Sequence, residues 1–578
     1  MDGSGEASPD TVVVRESAEH PGRETFVIQQ ELLSVDDARY DEIYKVLSYA
    51  APDQSLSTPI YRMSWRHVVA PENAGLQEYV ALYIRLERFI TERGPDRVVC
   101  GDEVSRGHAA VVRDVAECHG LEATGGTRTD PSRAELLGRV LKNTVLILPF
   151  LFDQIFSIVW KYIGGVSKDI DLAFVPSLGR IGSTGPVLDG LLGTESIEHS
   201  VVITSKVSSQ VTRWRWKYLR TRLAGHDLDA LGNYTDVQTL FSQLATYIEV
   251  SRRALLGDAI VENLDELLTA EFGVELDRTL RYVIYDAFRT RVLLSTWFYE
   301  LTGAMMEETE CQKIVIGGLS PSRRAIMLSS MEHGAAVYYV PHNIGSGGCP
   351  NPPSTLTHFV SGQLEARKFA ESDQVRDPWH VVVTGRPYLV ELHREYEGAH
   401  GTSERIDTRR TSSGPLQLLV ATQGFDCRQD FVEDVLASLD DSDLDAEVVI
   451  KTHPAEDPDT YSDYEETGAV TVTDADLAEH IAASDLTVTI NSNVGLESVI
   501  AGTPTICLNR WKPSVSDPVY AEYGPIPLLR RREELVDRFR DIGADGAEEL
   551  WREEAAFVEE AFELDTDAAR NMLDVILS

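Results

Sequence analysis

The feature that most constrains this chain is a series of short, nearly all-apolar segments between residues 415 and 510, separated by amphipathic stretches. Leu416–Ala421 (LQLLVA), Val448–Lys451 (VVIK), Val470–Val472, Leu486–Ile490 (LTVTI) and Thr505–Leu508 (TICL) read as strands. Phe431–Leu439, Asp476–Ala483 and Leu496–Ala501, between them, carry helical spacing. Short strands without a polar face are buried on both sides, and helices between them return each strand parallel to the last. The expectation is a doubly wound sheet with helices on both faces. Such sheets take their ligands at the carboxyl ends of the strands.

The rhythm also runs upstream. Lys313–Ile316 (KIVI), Val337–Val340, Thr357–Val360 (THFV) and Val381–Thr384 (VVVT) read as strands, with a helix pattern at Ala325–His333. Arg97–Cys100 (RVVC) lies between helix patterns at Tyr79–Arg93 and Ala109–Cys118. From about 120 to 310 the pattern is mostly helical. The expected organisation is therefore a mobile leader over 1–23, in which only Val12–Val14 is strand-like, and an N-terminal α/β domain over 24–390. The latter holds a helical insertion at about 120–310. A linker over 391–414, a second α/β domain over 415–530 and a helical tail over 531–578 complete the chain. The fold class is α/β, with two doubly wound, Rossmann-like domains facing across a cleft, where a bisubstrate site is expected.

Charge narrows the partners. The 578 residues carry a formal charge of −40, with acids along the whole length and only ten Lys. That is a solvated acidic surface of the kind halophilic proteins use. Nucleic acid is excluded as a partner, because binding phosphates needs a basic patch or stripe. Two segments break the pattern. Thr144–Trp160 (TVLILPFLFDQIFSIVW) is too short and too interrupted, by Pro149, Asp153 and Gln154, to span a bilayer. It reads as a buried helix pair or as a segment dipping into a membrane interface. Arg213, Trp214, Arg215, Trp216, Lys217, Arg220 and Arg222 form a basic, Trp-rich run that suits lipid headgroups, or a solvated helix face with its Trp stem packed inside. The six cysteines show no C-x-x-C spacing, and the first thirty residues have no apolar core of a secretory signal. The expected location is cytoplasmic, peripheral to the inner face of the cell membrane.

Several residues could carry chemistry. Lys451 ends a buried strand and His453-Pro454 lies just beyond it, where an imidazole can donate to a phosphate or serve structurally. Asn491-Ser492-Asn493-Val494-Gly495 forms a strand-to-helix turn of small polar residues, and helix N-termini favour phosphate. Glu497 is expected on the first turn of that helix, as a cap or as a partner of ribose hydroxyls. Asp102 and Glu103 follow the strand RVVC, where either could deprotonate an acceptor hydroxyl or cap the next helix. His108 is a further candidate. Arg323 and Arg324 follow GGLSPS, where they could hold an acceptor or phosphate, or face solvent. The pairs Asp169/Asp171, Asp227/Asp229 and Asp443/Asp445 are expected by chance in so acidic a chain and are not read as metal sites.

The stretch KTHPAE, Tyr461, and DLAEHIAASDLTVTINSNVGLESVIAGTPTICLN resembles the C-terminal nucleotide-binding domain of GT-B-type glycosyltransferases. The resemblance is to the group of capsule polysaccharide transferases, HP-motif sialyl- and Kdo-transferases and CDP-glycerol glycerophosphotransferases. VYYVPHNIG resembles that group's His-containing loop, with Pro341-His342-Asn343 where many relatives carry Gln-His-Gly, and VVVTGRP resembles its element before the second domain. The resemblance implies an inverting, metal-independent transferase with a nucleotide sugar as substrate and no cofactor. It places Lys451, His453, Ser492 and Asn493 at the donor phosphates and Glu497 at the ribose, with His342 beside Asp102 and Glu103 as catalytic candidates. The product would be a surface polysaccharide, glycolipid or glycoprotein glycan, built on an acceptor such as a lipid-linked glycan. The alternatives are a non-hydrolysing UDP-sugar 2-epimerase, a CDP-polyol phosphotransferase and a non-catalytic nucleotide-binding protein.

Overall fold

The computed structural model describes residues 11–15, 25–28, 74–126, 148, 151–152, 154–155, 157–159, 161, 170–175, 181–193, 199–203, 228–256, 266, 268–309, 311–318, 320–341, 344, 356–371, 379–399, 414–424, 427–453, 456–475, 477–511, 517–545 and 548–578. The chain divides into two compact units. One comprises 1–179, 196–337 and 348–356, and the other 180–195, 338–347 and 357–578.

The first unit opens with a small parallel sheet. Its strands are β1 (Thr11–Arg15), β2 (Thr25–Val27), β3 (Arg97–Cys100) and β4 (Glu122–Gly125), in the order β2-β1-β3-β4. Val12 pairs with Val98 and Val13 with Thr25, so β1 is an inner strand. Val12 and Val14 are buried. The segment expected as a mobile leader therefore contains a core strand. Five residues are too few to show a period, and only the pairing with β3 reveals their role. The helices α1 (Ala74–Arg93) and α2 (Arg106–Cys118) pack together. Ser105 starts α2, its side chain accepting from His108 N at 3.2 Å, and Ala109–Val112 with Val115 and Ala116 form its buried face.

Farther along lie α3 (Val237–Leu256), α4 (Asp277–Thr309) and α5 (Pro321–Glu332). Asp114 of α2 caps α4: its carboxylate accepts from Thr279 N at 2.9 Å, Thr279 Oγ1 at 2.7 Å and Arg278 N at 3.2 Å. Burial pushes this carboxyl up to about 7, against the pull of those donors. A folded-state pKa above the unfolded value means the native chain binds more protons between them. The stability contributed at this site is fully present below about pH 4 and is lost as pH rises through 7. Chemical denaturation across pH 4–8 should show that downward slope, and Asp114→Asn should flatten it while lowering stability throughout. An unchanged slope in the variant would remove Asp114 from the account.

The second sheet comprises β5 (Leu172–Val175), β6 (His199–Ile203), β7 (Leu228–Ala230), β8 (Lys313–Gly317), β9 (Ala336–Val340), β10 (Leu356–Val360) and β11 (Trp379–Val383), in the order β11-β10-β9-β8-β5-β6-β7. The pairs β5–β6, β5–β8 and β6–β7 are parallel. Strands β5 to β7 fall in the stretch expected to be a helical insertion. They are three to five residues long and widely separated, so no alternation with helices announces them.

The third sheet, in the second unit, has β12 (Leu416–Ala421), β13 (Ala446–Lys451), β14 (Val470–Thr473), β15 (Leu486–Thr489), β16 (Thr505–Leu508) and β17 (Leu528–Leu529). All its neighbours pair in parallel, in the order β14-β13-β12-β15-β16-β17. Threonines tolerate its core because their hydroxyls are satisfied: Thr489 Oγ1 donates to Ala421 O at 3.1 Å and Thr487 Oγ1 to Ser498 Oγ at 3.0 Å. The chain winds outward from β12 through β13 and β14, then crosses to β15. The order reverses between β12 and β15, which is the point where open sheets bind ligands. The seven- and six-stranded sheets constitute two Rossmann-like parallel-sheet domains of the GT-B type, and the four-stranded sheet is an addition to that plan.

Around the third sheet lie α6 (Pro387–Ala399), α7 (Arg428–Ser442), α8 (Asn493–Ile500), α9 (Glu548–Ala561) and α10 (Ala568–Leu577). The expected helical tail is core. Val558, Ala561, Phe562 and Leu564 share a buried cluster with Leu364, Leu389 and Leu496. Glu554 accepts from Thr505 N at 3.0 Å, and Glu563 N donates to Ser361 O at 3.0 Å. Gly385 (φ +76°) accommodates this approach, since a Cβ there would lie 2.7 Å from Glu563 O.

Candidate functional site

The carboxyl edge of the third sheet is stitched together by polar side chains. Gln423, just past β12, accepts from Asn491 N, just past β15, at 2.7 Å. That bond lies at the strand-order reversal. On the other side of β12, Glu456 has a nearly buried side chain that takes several donors. His453 N donates to it at 2.9 Å and the Tyr461 hydroxyl at 3.1 Å, Arg428 Nε lies 3.6 Å away, and the Thr422 hydroxyl also donates to it. Tyr461 is buried, and burial together with the Glu456 charge raises its phenol above the ordinary range. The His453 backbone is thus held by a carboxylate that ties the loops after β12 and β13. Its Nδ1 lies 3.9 Å from where a Cβ on Gly424 would sit. Lys451 Nζ donates to Thr452 O at 2.9 Å.

Ser492 is the cap of α8, its side chain accepting from Val494 N at 3.2 Å. The Tyr520 hydroxyl donates to Ser492 O. This packing requires glycine at 495, because a Cβ there would overlap the Tyr520 hydroxyl. Tyr520 is fully buried, and burial raises its phenol well above the ordinary value, so it stays a neutral donor. The α8 N-terminus is therefore a rigid feature. Asn493 is its first residue. Glu497 follows on the second turn rather than the expected first.

Asn493 and Glu497 share the wall of a small, partly open cavity within the second unit. The wall also includes Val340, Pro341 and Ile344 after β9, Arg386–Leu389 at the start of α6, Leu496, and Met572 of α10. It is mostly apolar, with Arg386, Asn493 and Glu497 as its charged or amide side chains. Arg386 is anchored behind it: its NH2 group lies 2.7 Å from Glu365 Oε1, and Glu365 also accepts from Ser361 N at 2.7 Å.

The other sequence candidates belong to the first unit or fall outside the described residues. His342 falls outside the described residues. Asp102 and Glu103 are exposed in the first unit after β3, and the Glu103 carboxylate folds back over Gly101. Neither caps α2, which Ser105 does. His108 is buried, with Nε2 2.6 Å from Glu78 Oε1 and its ring edge-on to Tyr79, a packed structural pair. Arg323 and Arg324 begin α5 in the first unit. Arg323 N donates to the Ser320 cap at 3.3 Å, and Arg324 is buried instead of facing solvent. Sequence reasoning missed Gln423, Glu456, Arg386 and Met572. Glu456 had a signal, three residues after His453 in a loop that needs an acceptor. Met572 had none. Among the described residues, no three His, Cys, Asp or Glu side chains converge as metal ligands would.

No protein-family model matches the chain, and no curated protein matches it. Among solved structures, a UDP-GlcNAc 2-epimerase from Neisseria meningitidis bound to UDP-GlcNAc is similar at 11% identity and TM-score 0.42, over 70% of this chain and 99% of that one. A glycosyltransferase from Rickettsia africae is similar at 11% identity and TM-score 0.41, over 71% and 98%. The wall teichoic acid polymerase TagF is similar at 10% identity and TM-score 0.37, over 77% and 98%. Likenesses of this size carry no argument about substrate or reaction.

Proposed function

We propose that this chain is a nucleotide-sugar-dependent enzyme of the GT-B type, and more finely a glycosyltransferase. The observation that supports the reading is the rigid edge around the β12–β15 reversal. It presents His453 and the α8 N-terminus at Ser492 and Asn493 at the strand ends, and Asn493 and Glu497 also line a mostly apolar cavity. A donor diphosphate would lie at the positive end of α8 and accept from His453, with Lys451 adding charge. Glu497 would take the ribose hydroxyls. Asp102, Glu103 and His342 are the residues proposed to remove the acceptor proton, and Arg323 and Arg324 to hold an acidic acceptor or its phosphate. The acceptor is proposed to be a lipid-linked or surface glycan at the cytoplasmic membrane face.

The test is thermal stabilisation by CMP, CDP, UDP, GDP and dTDP in high KCl, with wild type and His453→Ala. A specific nucleotide stabilises by roughly 2.7 kcal/mol at a hundredfold excess over Kd. One nucleotide should raise Tm in wild type, and His453→Ala should remove most of that shift while leaving the unliganded Tm nearly unchanged. No shift with any of the five at millimolar concentration would overturn the reading. With the matching nucleotide sugar, isomerisation without an acceptor would replace transfer by epimerisation.

A further inference from the structure

Two neighbouring helical segments of the first unit bury polar side chains and expose apolar ones. The described positions between 148 and 161 are helical. Phe152 is 64% exposed, and Leu148, Ile155 and Val159 are exposed with it, whereas Gln154 is 1% exposed and Ser157 is fully buried. In α3, Phe241 is 67% exposed, with Val237 and Ile248 also exposed, whereas Gln243 is 2% exposed. At about 100° per residue, Val237, Phe241 and Ile248 of α3 fall within an arc of about 40°, one stripe on that helix, and Leu148, Phe152, Ile155 and Val159 are exposed on the neighbouring segment. The buried faces are fixed by hydrogen bonds: Gln154 Nε2 donates to Thr235 Oγ1 at 3.3 Å, just before α3, and Gln243 Nε2 donates to Trp297 O of α4 at 3.4 Å. The polar residues hold the helices to the protein, and the apolar side chains are left outward. Seven of the nine exposed large hydrophobic side chains among the described residues belong to these two segments.

We propose that these side chains form a peripheral docking surface for an anionic lipid bilayer. Charge argues for the lipid. In a chain where Asp and Glu make up 93 of 578 residues, the 20 residues of α3 hold one acid, Glu249, beside Arg252 and Arg253, and 144–161 holds only Asp153. With the exposed Asp236 at the start of α3 as a further acid, the two segments are still poorer in acid than the chain, as a net charge of −40 requires for approach to an anionic membrane. The sequence between β6 and β7, which leads into α3, supplies Arg213, Arg215, Lys217, Arg220 and Arg222 with Trp214 and Trp216, and no acid among them. Exposed aliphatic and Phe side chains together with a basic, Trp-rich run in the sequence have the composition of an interfacial anchor. No helix among the described residues is long and apolar enough to cross a membrane, so the contact is a surface one.

The proposal does not depend on the enzymatic reading, and its test uses no nucleotide. The full chain is floated with vesicles of phosphatidylcholine mixed with phosphatidylglycerol, and with phosphatidylcholine alone. Wild type should float with the anionic vesicles, and Phe152→Glu/Phe241→Glu should reduce partition roughly tenfold or more at an unchanged melting temperature. In wild type alone, hydrogen exchange over 237–256 should slow when anionic vesicles are added, a measurement that stands even if the variant folds poorly. Flotation of the variant as strong as that of wild type, or no flotation of wild type, would overturn the proposal. So would a wild-type dimer that the variant splits without lipid, which would assign the face to a second copy of the chain.

Discussion

Glu365→Ala should destabilise the second unit by about 3–5 kcal/mol, the usual consequence of removing one partner from a buried ion pair. Glu365 is fully buried and Arg386 nearly so. The substitution leaves a guanidinium without its countercharge and Ser361 N without its acceptor. His358 is wholly buried against Tyr339 and Phe369, its ring centroid 4.9 and 4.6 Å from theirs. Burial, with Arg386 adding to it, pushes its imidazole down to about 3, so it is neutral at any working pH. The guanidinium also lines the cavity, and moving into it would displace the Gly385-Arg386-Pro387 turn. Urea unfolding followed by far-ultraviolet circular dichroism reads the loss. Glu365→Leu/Arg386→Met should recover most of the stability, because a well-packed apolar pair often replaces a buried ion pair without penalty. A loss under about 1 kcal/mol for Glu365→Ala would mean that water reaches the pair.

The contrast between what the sequence discloses and what it conceals follows burial and distance along the chain. The strand at 416–421 and that at 505–508 are found at the expected residues, and 448–451, 470–472 and 486–490 shift by two residues or fewer. They are rich in β-branched and aliphatic residues, and β15 and β16 are buried throughout, so composition and environment agree there. Leu528–Leu529 has two residues and no pattern to detect. The helices after 531 show an apolar face, but nothing local says that Phe562 meets Leu364 or that Glu554 reaches Thr505. The candidate site divides in the same way. His453 and the Asn491–Gly495 turn are legible because strand ends are legible. The cavity wall, which joins Ile344, Arg386, Asn493 and Met572, exists only through tertiary packing. Gly385-Arg386-Pro387 reads locally as a chain break, and its arginine acquires a role only once Glu365 is behind it.

Glu456→Ala should lower stability by about 2–4 kcal/mol and also abolish the nucleotide-induced rise in Tm. The estimate stays below that for a fully buried pair because Arg428 is about one-third exposed and can be solvated in part. The remaining partners have less recourse. Tyr461 is fully buried, and the His453 amide and the Thr422 hydroxyl each keep only their weaker contact, 3.2 Å from His453 N to Thr422 Oγ1 and 3.3 Å from Thr422 Oγ1 to Lys451 O. The loop that presents His453 would lose its main restraint. Glu456→Gln retains the shape and one acceptor but no charge for Arg428, and its loss should be roughly half as large. The pairing of the two readouts separates roles. His453→Ala removes the group proposed to touch the nucleotide, so on that proposal the Tm shift disappears and the unliganded Tm holds. Glu456→Ala removes a group that positions His453, so both fall together and Glu456→Gln restores part of each. If Glu456→Ala retained the full nucleotide shift despite its lower Tm, the carboxylate would be a fold element only, and the strand-end loop would present His453 without it.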